Sequence, residues 1–291
     1  MSRWVTLATA GLLCAGCASN QNPDDEFLGL GRVGASSEPP PGVSRPLVEG
    51  DLAGLAERGA LLAAMERALR LGYEQGAYAV GVGEGDIVLP LVDVDPGGRS
   101  AQVLFLRWRR DQVGLSGDLH PKYAERWLLV SMMLEPERVL DKELLAGTVE
   151  EDSVEFHRAA ALLAAAQRLR TQTPEEAYHL FTVPELTPTQ SRRTPTMVAT
   201  RVYAMSARGG GPDVEVLVDE ANKGRIPEVL DATVVHEAGA VGDALIRVQS
   251  PQPAAASVAR VMLQDGSGSV EVESSAGAWL VDRRTGRVSR P

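Results

Sequence analysis

The sequence contains only two cysteines, Cys14 and Cys17, both within its first seventeen residues. Nothing downstream can form an internal disulfide, so a disulfide-stapled scaffold is excluded and stability has to come from a buried core. Aromatic residues make up 4% of the chain and hydrophobic residues 44%, so that core is aliphatic, built from Leu, Val and Ala. Positive charge is scarce. Lys and Arg number 29 against 39 Asp and Glu, for a net charge of −10. An acidic balance argues against sequence-independent nucleic-acid binding, which needs basic surface to displace counterions. The apolar run from Trp4 to Leu13 falls short of the roughly 20 residues that cross a bilayer as a helix.

What is present begins with that run. Arg3 gives a positive start, Trp4–Leu13 is apolar, and small residues lead into Cys17. This is the layout of a secretory signal peptide. Its end, Leu13-Cys14-Ala15-Gly16-Cys17, resembles the lipobox of bacterial lipoproteins, with Cys14 where the family carries Leu and Leu13 one position early. The resemblance implies cleavage before Cys17 and lipid, including palmitate, on that cysteine. Ala18, rather than Asp, after the cysteine implies retention at the outer membrane. Two or more acyl chains anchor far more firmly than one, each buried CH₂ adding about 0.8 kcal/mol. A second reading places the cut after Ala18, because Gly16-Cys17-Ala18 fits a small-x-small site; it releases a soluble, cysteine-free chain. The Cys14-x-x-Cys17 spacing lies inside the signal, with none of the βαβ context of a redox motif.

Residues 18–50 read as a tether. Asn20-Gln21-Asn22-Pro23-Asp24-Asp25 and Pro39-Pro40-Pro41-Gly42 are too polar and proline-rich to bury a core. Some 30 flexible residues reach roughly 30 Å. Asp51 then looks like an N-cap, and Leu52, Leu55, Leu62, Met65 and Leu69 follow at helical spacing to about Tyr73. Alternation predicts strands over 78–82, 87–92 and 103–108. His120-Pro121 predicts a helix start carrying Trp127, Leu128, Val130 and Met133, with a short helix over 136–145. Glu150, Glu151 and Asp152 precede a helix over 156–169, and Thr173-Pro174-Glu175-Glu176 predicts another, ended near Pro184. Beyond Thr194, strands are predicted over 198–204, 214–218, 244–248, 258–263, 270–272 and 279–281.

The expected fold is α+β: a helical N-terminal half with a small β element, then a mainly antiparallel β-sheet C-terminal half. The expected organisation is signal peptide (1–16), lipidated cysteine and tether (17–50), α-rich region with a β-hairpin (51–190) and antiparallel β region (195–291). One pattern recurs three times. Leu91-Val92-Asp93, Leu217-Val218-Asp219 and Leu280-Val281-Asp282 are followed by Gly98-Arg99, Gly224-Arg225 and Gly286-Arg287. An Asp that opens a turn and a Gly that closes it predict a hairpin at each.

Candidate chemistry is sparse. Gly29-x-Gly31-x-x-Gly34 has no strand before it and no helix after it, so it lacks the context of a dinucleotide site. Gly81-Val82-Gly83-Glu84-Gly85 reads as a turn. Val235-His236-Glu237 resembles the start of a zincin helix, but Ala240 stands where the second imidazole is required. Glu176-x-x-His179 would place a carboxylate and an imidazole on one helix face, although a di-iron bundle needs two such pairs and further carboxylates. Ser116 lacks the nucleophile-elbow glycines. Asp93-Val94-Asp95 lacks the distal ligands of a calcium loop. No catalytic, cofactor-binding or metal-ligating residue is assigned. Arg107, Arg109 and Arg110 flank Trp108 in the densest basic cluster. They are either the solvent face of a strand or a contact for an anionic partner such as lipid headgroups or cell-wall polymer.

The sequence thus points to a non-enzymatic envelope lipoprotein that binds or scaffolds. It would meet the membrane through lipid on Cys17 and an envelope protein or the cell wall through its domain. An envelope hydrolase would need His179 or His236 in a pocket with carboxylates or a serine. A lipid carrier would need an apolar cavity between sheet and helices.

Overall fold

A computed structural model describes residues 9–10, 50–77, 80, 86–109, 119–151, 153–187, 197–208, 211–219, 227–236, 245–248 and 250–291. The cysteines, the tether motifs, the Gly81–Gly85 turn, Arg110, Ser116 and the Glu237–Ala240 stretch lie outside the described residues.

The fold is α+β. Helix α1, Leu52–Gly72, starts where Asp51 accepts a hydrogen bond from Gly54 N at 2.9 Å. Leu55, Leu62, Met65 and Leu69 face the core as their spacing predicts. A π-helical turn, Tyr73–Ala77, ends it. An antiparallel meander follows: β2 (Ile87–Val94), β3 (Ser100–Trp108), β4 (Glu125–Leu134) and β5 (Glu137–Leu144). Helix α2, Val154–Gln172, is capped by Ser153, whose hydroxyl accepts from Phe156 N at 3.1 Å. A second meander succeeds it: β6 (Tyr178–Thr187), β7 (Met197–Ser206), β8 (Asp213–Val218) and β9 (Val229–His236). The last unit is smaller. Strands β10 (Leu245–Arg247), β11 (Ser269–Ser274), β12 (Gly277–Asp282) and β13 (Val288–Ser289) form a third sheet, and helix α3 (Ala255–Met262) lies between β10 and β11 in the chain. A helix followed by an antiparallel meander therefore occurs three times in chain order.

Two cores lie on opposite faces of the large sheets. One joins α1 and α3 to Val103, Phe105, Leu128 and Val130 of the first meander and to Phe181, Val183 and Tyr203 of the second. The other joins α2 to Leu89, Leu91, Leu104 and Leu106 and to Leu180, Val202 and Val216. Strand β2 is buried on both faces, with Leu89 to Val92 consecutive and inside, the run expected of a doubly covered strand. A two-residue strand, β1 (Thr9–Ala10), pairs in parallel with Leu91 and Val92 on its outer edge.

Four segments differ from the sequence expectation. His120-Pro121 does start a helical turn, but it stops after Tyr123. Leu128, Val130, Met132 and Leu134 are buried at every second residue, so 125–134 is a strand. Residues 136–145 hold β5 rather than a helix, because they pair back on β4 from Leu134↔Glu137 onward. Thr173 caps the end of α2, and 178–187 is a strand buried on both faces, with Tyr178 and Leu180 in the α2 core and Phe181 and Val183 in the α1 core, instead of a helix. Over 255–262 the β-branched residues belong to α3, whose Val258, Ala259 and Val261 pack inward.

The recurring turns are partly as expected. At the third, Asp282 Oδ1 accepts from Arg284 N and Thr285 N, and Gly286 has φ 66°. At the first, the turn residue is Asp95, whose carboxylate accepts from Gly97 N at 3.0 Å before Gly98 at φ 67°. Asp93 remains in β2. At the second, Asp219 N donates to Glu228 O at 2.9 Å, while Gly224 and Arg225 lie outside the described residues.

Candidate functional site

Each helix sends one arginine into the sheets. Arg58 of α1 is buried and ion-pairs with Glu185 of β6, itself fully buried. Arg58 Nη1 also donates to Tyr203 Oη at 2.9 Å. Glu185 is shared: Arg201 Nε of β7 donates to its other oxygen at 2.9 Å, and Arg201 Nη1 reaches Glu215 of β8 at 3.3 Å. The result is an Arg–Glu–Arg–Glu chain with a tyrosine at one end. A carboxylate in an apolar core is tolerable only when paired.

The electrostatics follow from that crowding. Burial lowers the Arg58 pKa, but Tyr203 and Glu185 outweigh it and leave it raised. Arg201 is raised in the same way, with Glu185 and Tyr203 overcoming burial. Burial, reinforced by the Glu215 charge, pushes the Tyr203 hydroxyl far up. Burial also raises Glu215; Arg201 pulls the other way, and the nearby Glu185 charge adds to the rise.

Arg158 of α2 makes the second pin. Its Nη1 donates to Asp93 Oδ1 at 3.1 Å, its Nη2 to the Val92 carbonyl at 3.3 Å and its Nε to Thr182 Oγ1 at 3.4 Å. One guanidinium thus bridges β2 and β6. Arg260 of α3 makes the third. Its Nη2 donates to Asp213 Oδ1 and to Ser206 O, both at 2.7 Å. Asp213 also accepts from Ser206 N at 2.8 Å.

His179 lies on β6, not on a helix, and its Nδ1 stands 2.7 Å from Glu66 Oε1 of α1. Its partner is thus Glu66, 113 residues away, rather than the adjacent Glu176. Among the described residues no serine or threonine hydroxyl bonds this imidazole. His120 caps the Pro121 turn, its Nδ1 accepting from Lys122 N at 3.3 Å; burial and then the Lys122 charge lower its pKa. His157 is part of α2. His236 ends β9, a strand end as its pattern predicts. No cluster of three or more His, Cys, Asp or Glu able to hold a metal occurs among the described residues.

The basic cluster is engaged internally. Arg107 Nη2 donates to Glu125 Oε2 at 2.9 Å, and its guanidinium lies 5.2 Å from the Trp127 ring centre. Arg109 Nε donates to the same carboxylate at 3.1 Å. Burial would raise Glu125, but the hydrogen bond from Arg107 and the Arg109 charge hold it below the usual range. Trp108 is buried beneath them and its Nε1 donates to His120 O at 2.9 Å. Arg107 belongs to β3 and is mostly covered, Arg109 follows the end of that strand, and Arg110 lies outside the described residues.

Sequence reasoning missed Arg58, Arg158, Arg260, Glu185 and Asp213. A signal existed for two of them. Arg58 interrupts an apolar helix, and Glu185 continues the inward phase of Phe181 and Val183. A charge at a core position calls for a partner.

No family model matches the chain, and neither the curated proteins nor the solved structures hold a match. No helix among the described residues is long and apolar enough to cross a membrane.

Proposed function

We propose that this chain is an envelope lipoprotein, anchored at the outer membrane by lipid on Cys17, whose domain binds or scaffolds another envelope component without catalysing a reaction. The observation that carries the reading is the order of parts. A charged start, an apolar run and a lipobox-like end reach Cys17; a polar, proline-rich tether follows; the first capped helix begins only after Asp51.

One arginine of each helix, and two at the end of β3, are engaged within the fold. Arg58, Arg158 and Arg260 are each spent on holding a helix to a strand. Arg107 and Arg109 share Glu125. Aliphatic side chains of α1 and α2 pack against opposite faces of the two meanders.

Fractionation of cells expressing wild type and Cys17→Ala tests the anchor, and affinity capture from native membranes with the lipidated protein tests the partner. The reading expects wild type in the membrane fraction, Cys17→Ala out of it, and a reproducible envelope partner. Unchanged fractionation of Cys17→Ala overturns the anchor.

A further inference from the structure

Four of the eight residues from Arg283 to Arg290 are arginine and none is acidic, in a chain whose net charge is −10. They surround the turn from β12 into β13. Asp282, the nearest carboxylate in sequence, is spent on that turn. Its Oδ1 accepts from Thr285 N and Thr285 Oγ1, both at 2.7 Å, and from Arg284 N at 3.1 Å. Two of the arginines are held by main-chain carbonyls, which leave their charge uncancelled. Arg283 Nη1 donates to Asp265 O at 3.0 Å. Arg290 Nη1 donates to Ala276 O at 3.0 Å, and its guanidinium lies 3.8 Å from the Trp279 ring centre. Arg284 and Arg287 are exposed and make no side-chain hydrogen bond or ion pair among the described residues. Arg58, Arg158, Arg260, Arg107 and Arg109 each have a carboxylate partner; among the described residues these four ion-pair with none.

The turn stands beside the point where the tether joins the domain. A Cβ on Gly286 would lie 3.3 Å from Ala56 O. Ala56 is the fifth residue of α1, about 6 Å along the axis from its start. Gly50, which closes the tether, donates from its N to Gln252 Oε1 at 2.9 Å, just ahead of α3. Helix α3 reaches the same turn through Val258 and Met262. The end of the domain that leads back to Cys17 thus carries uncancelled positive charge. We propose that Arg283, Arg284, Arg287 and Arg290 form a docking surface for the anionic phospholipid headgroups of the membrane that holds the lipid on Cys17. The inference rests on the lipid-anchor reading. Charge complementarity selects the occupant, because a cluster of four or more basic residues beside a membrane anchor attracts anionic headgroups. Acyl chains and a basic cluster are separate signals whose membrane affinities add. A tether of some 30 residues, spanning roughly 30 Å, leaves the turn free to reach the headgroups.

The test reconstitutes the lipidated protein, purified from membranes, into vesicles of phosphatidylcholine alone or of phosphatidylcholine mixed with phosphatidylglycerol. The anchor holds the chain to both, so only headgroup charge differs. Phenylglyoxal labels accessible arginines, and mass spectrometry reads each site. Arg168 and Arg170 of α2 are exposed, and α2 packs on the face of the large sheets opposite α1 and α3, so they serve as the reference. The proposal expects labelling of Arg284 and Arg287 to fall about fivefold in the phosphatidylglycerol vesicles. Labelling of Arg168 and Arg170 stays unchanged, and phosphatidylcholine alone gives no fall. At about 1 M salt, where the screening length is ~3 Å, the protection is lost. Equal labelling in the two kinds of vesicle overturns the proposal, and so does protection that spreads to Arg168 and Arg170. Protection in whole cells but not in vesicles assigns the surface to a protein or cell-wall partner and also overturns it. An intact mass without acyl chains overturns the anchor reading alone. That chain, added to the same vesicles, still decides the arginine surface by the same labelling.

Discussion

Arg58 and Glu185 lie 127 residues apart in sequence and form a single buried ion pair that fastens the first helix to the second meander. The pair is not isolated, since Glu185 also accepts from Arg201 and Arg58 also donates to Tyr203. Removing one partner strands the other in the core. Arg58→Met is expected to lower stability by about 3–5 kcal/mol, the usual cost of an uncompensated buried charge. Urea denaturation checks it. A loss below about 1 kcal/mol, the level of an exposed pair, contradicts the role given to Arg58.

Glu215 should give stability a distinctive pH dependence. Burial raises its folded-state pKa above the ordinary 4.5. The folded protein therefore holds this proton to higher pH than the unfolded chain does. The resulting stabilisation is complete below the unfolded value and is lost as pH rises through the folded value. Glu215→Gln removes the titration, so the variant should gain on wild type as pH climbs above about 4.5. Thermal melts from acid to neutral pH would show the two curves converging or crossing in that direction. Curves that stay parallel would contradict the shift.

Two glycines mark where α3 meets its neighbours. A Cβ on Gly59 of α1 would run into Val258 Cγ1 of α3. Gly286 has φ 66°, and a Cβ there would stand 2.7 Å from Met262 Sδ. Gly59→Ala overpacks a helix crossing and should cost about 1–3 kcal/mol. Gly286→Ala adds backbone strain to a similar clash. Circular dichroism melts measure both. A wild-type midpoint for either variant contradicts the close approach.

The two long helices were legible, α1 because apolar residues at helical spacing follow the capping Asp51, and α2 because the acidic run Glu150, Glu151 and Asp152 favours a helix start ahead of Phe156. The strands β4, β5 and β6 were not. Trp127-Leu128-Leu129-Val130 is a short apolar run that fits either period. The proline and acidic signals at Pro121 and Glu175 are local, and strand pairing with β3 and β7 overrides them. In α3 the opposite occurs: Val258 and Val261 read as a strand, while packing against α1 fixes a helix. The partners of the arginine pins were beyond a sequence reading. Arg58, Arg158 and Arg260 find their acidic partners 127, 65 and 47 residues away. Only the third turn was readable almost to the atom, because Asp282, Thr285 and Gly286 complete it among themselves.

The acidic arm of the Arg107–Arg109 cluster offers a check on the basic surface. Glu125→Gln removes the carboxylate that both guanidiniums share. Binding to anionic vesicles should rise in the variant if the paired state is what masks this surface. Identical vesicle binding for variant and wild type would contradict that masking role.

The central claim is lipidation at Cys17, and the mass of the N-terminal peptide of protein purified from the membrane fraction tests it most directly. The account predicts a chain that begins at Cys17 and carries acyl chains on that residue. An unmodified N terminus at Ser19, or a chain that still begins at Met1, would contradict it.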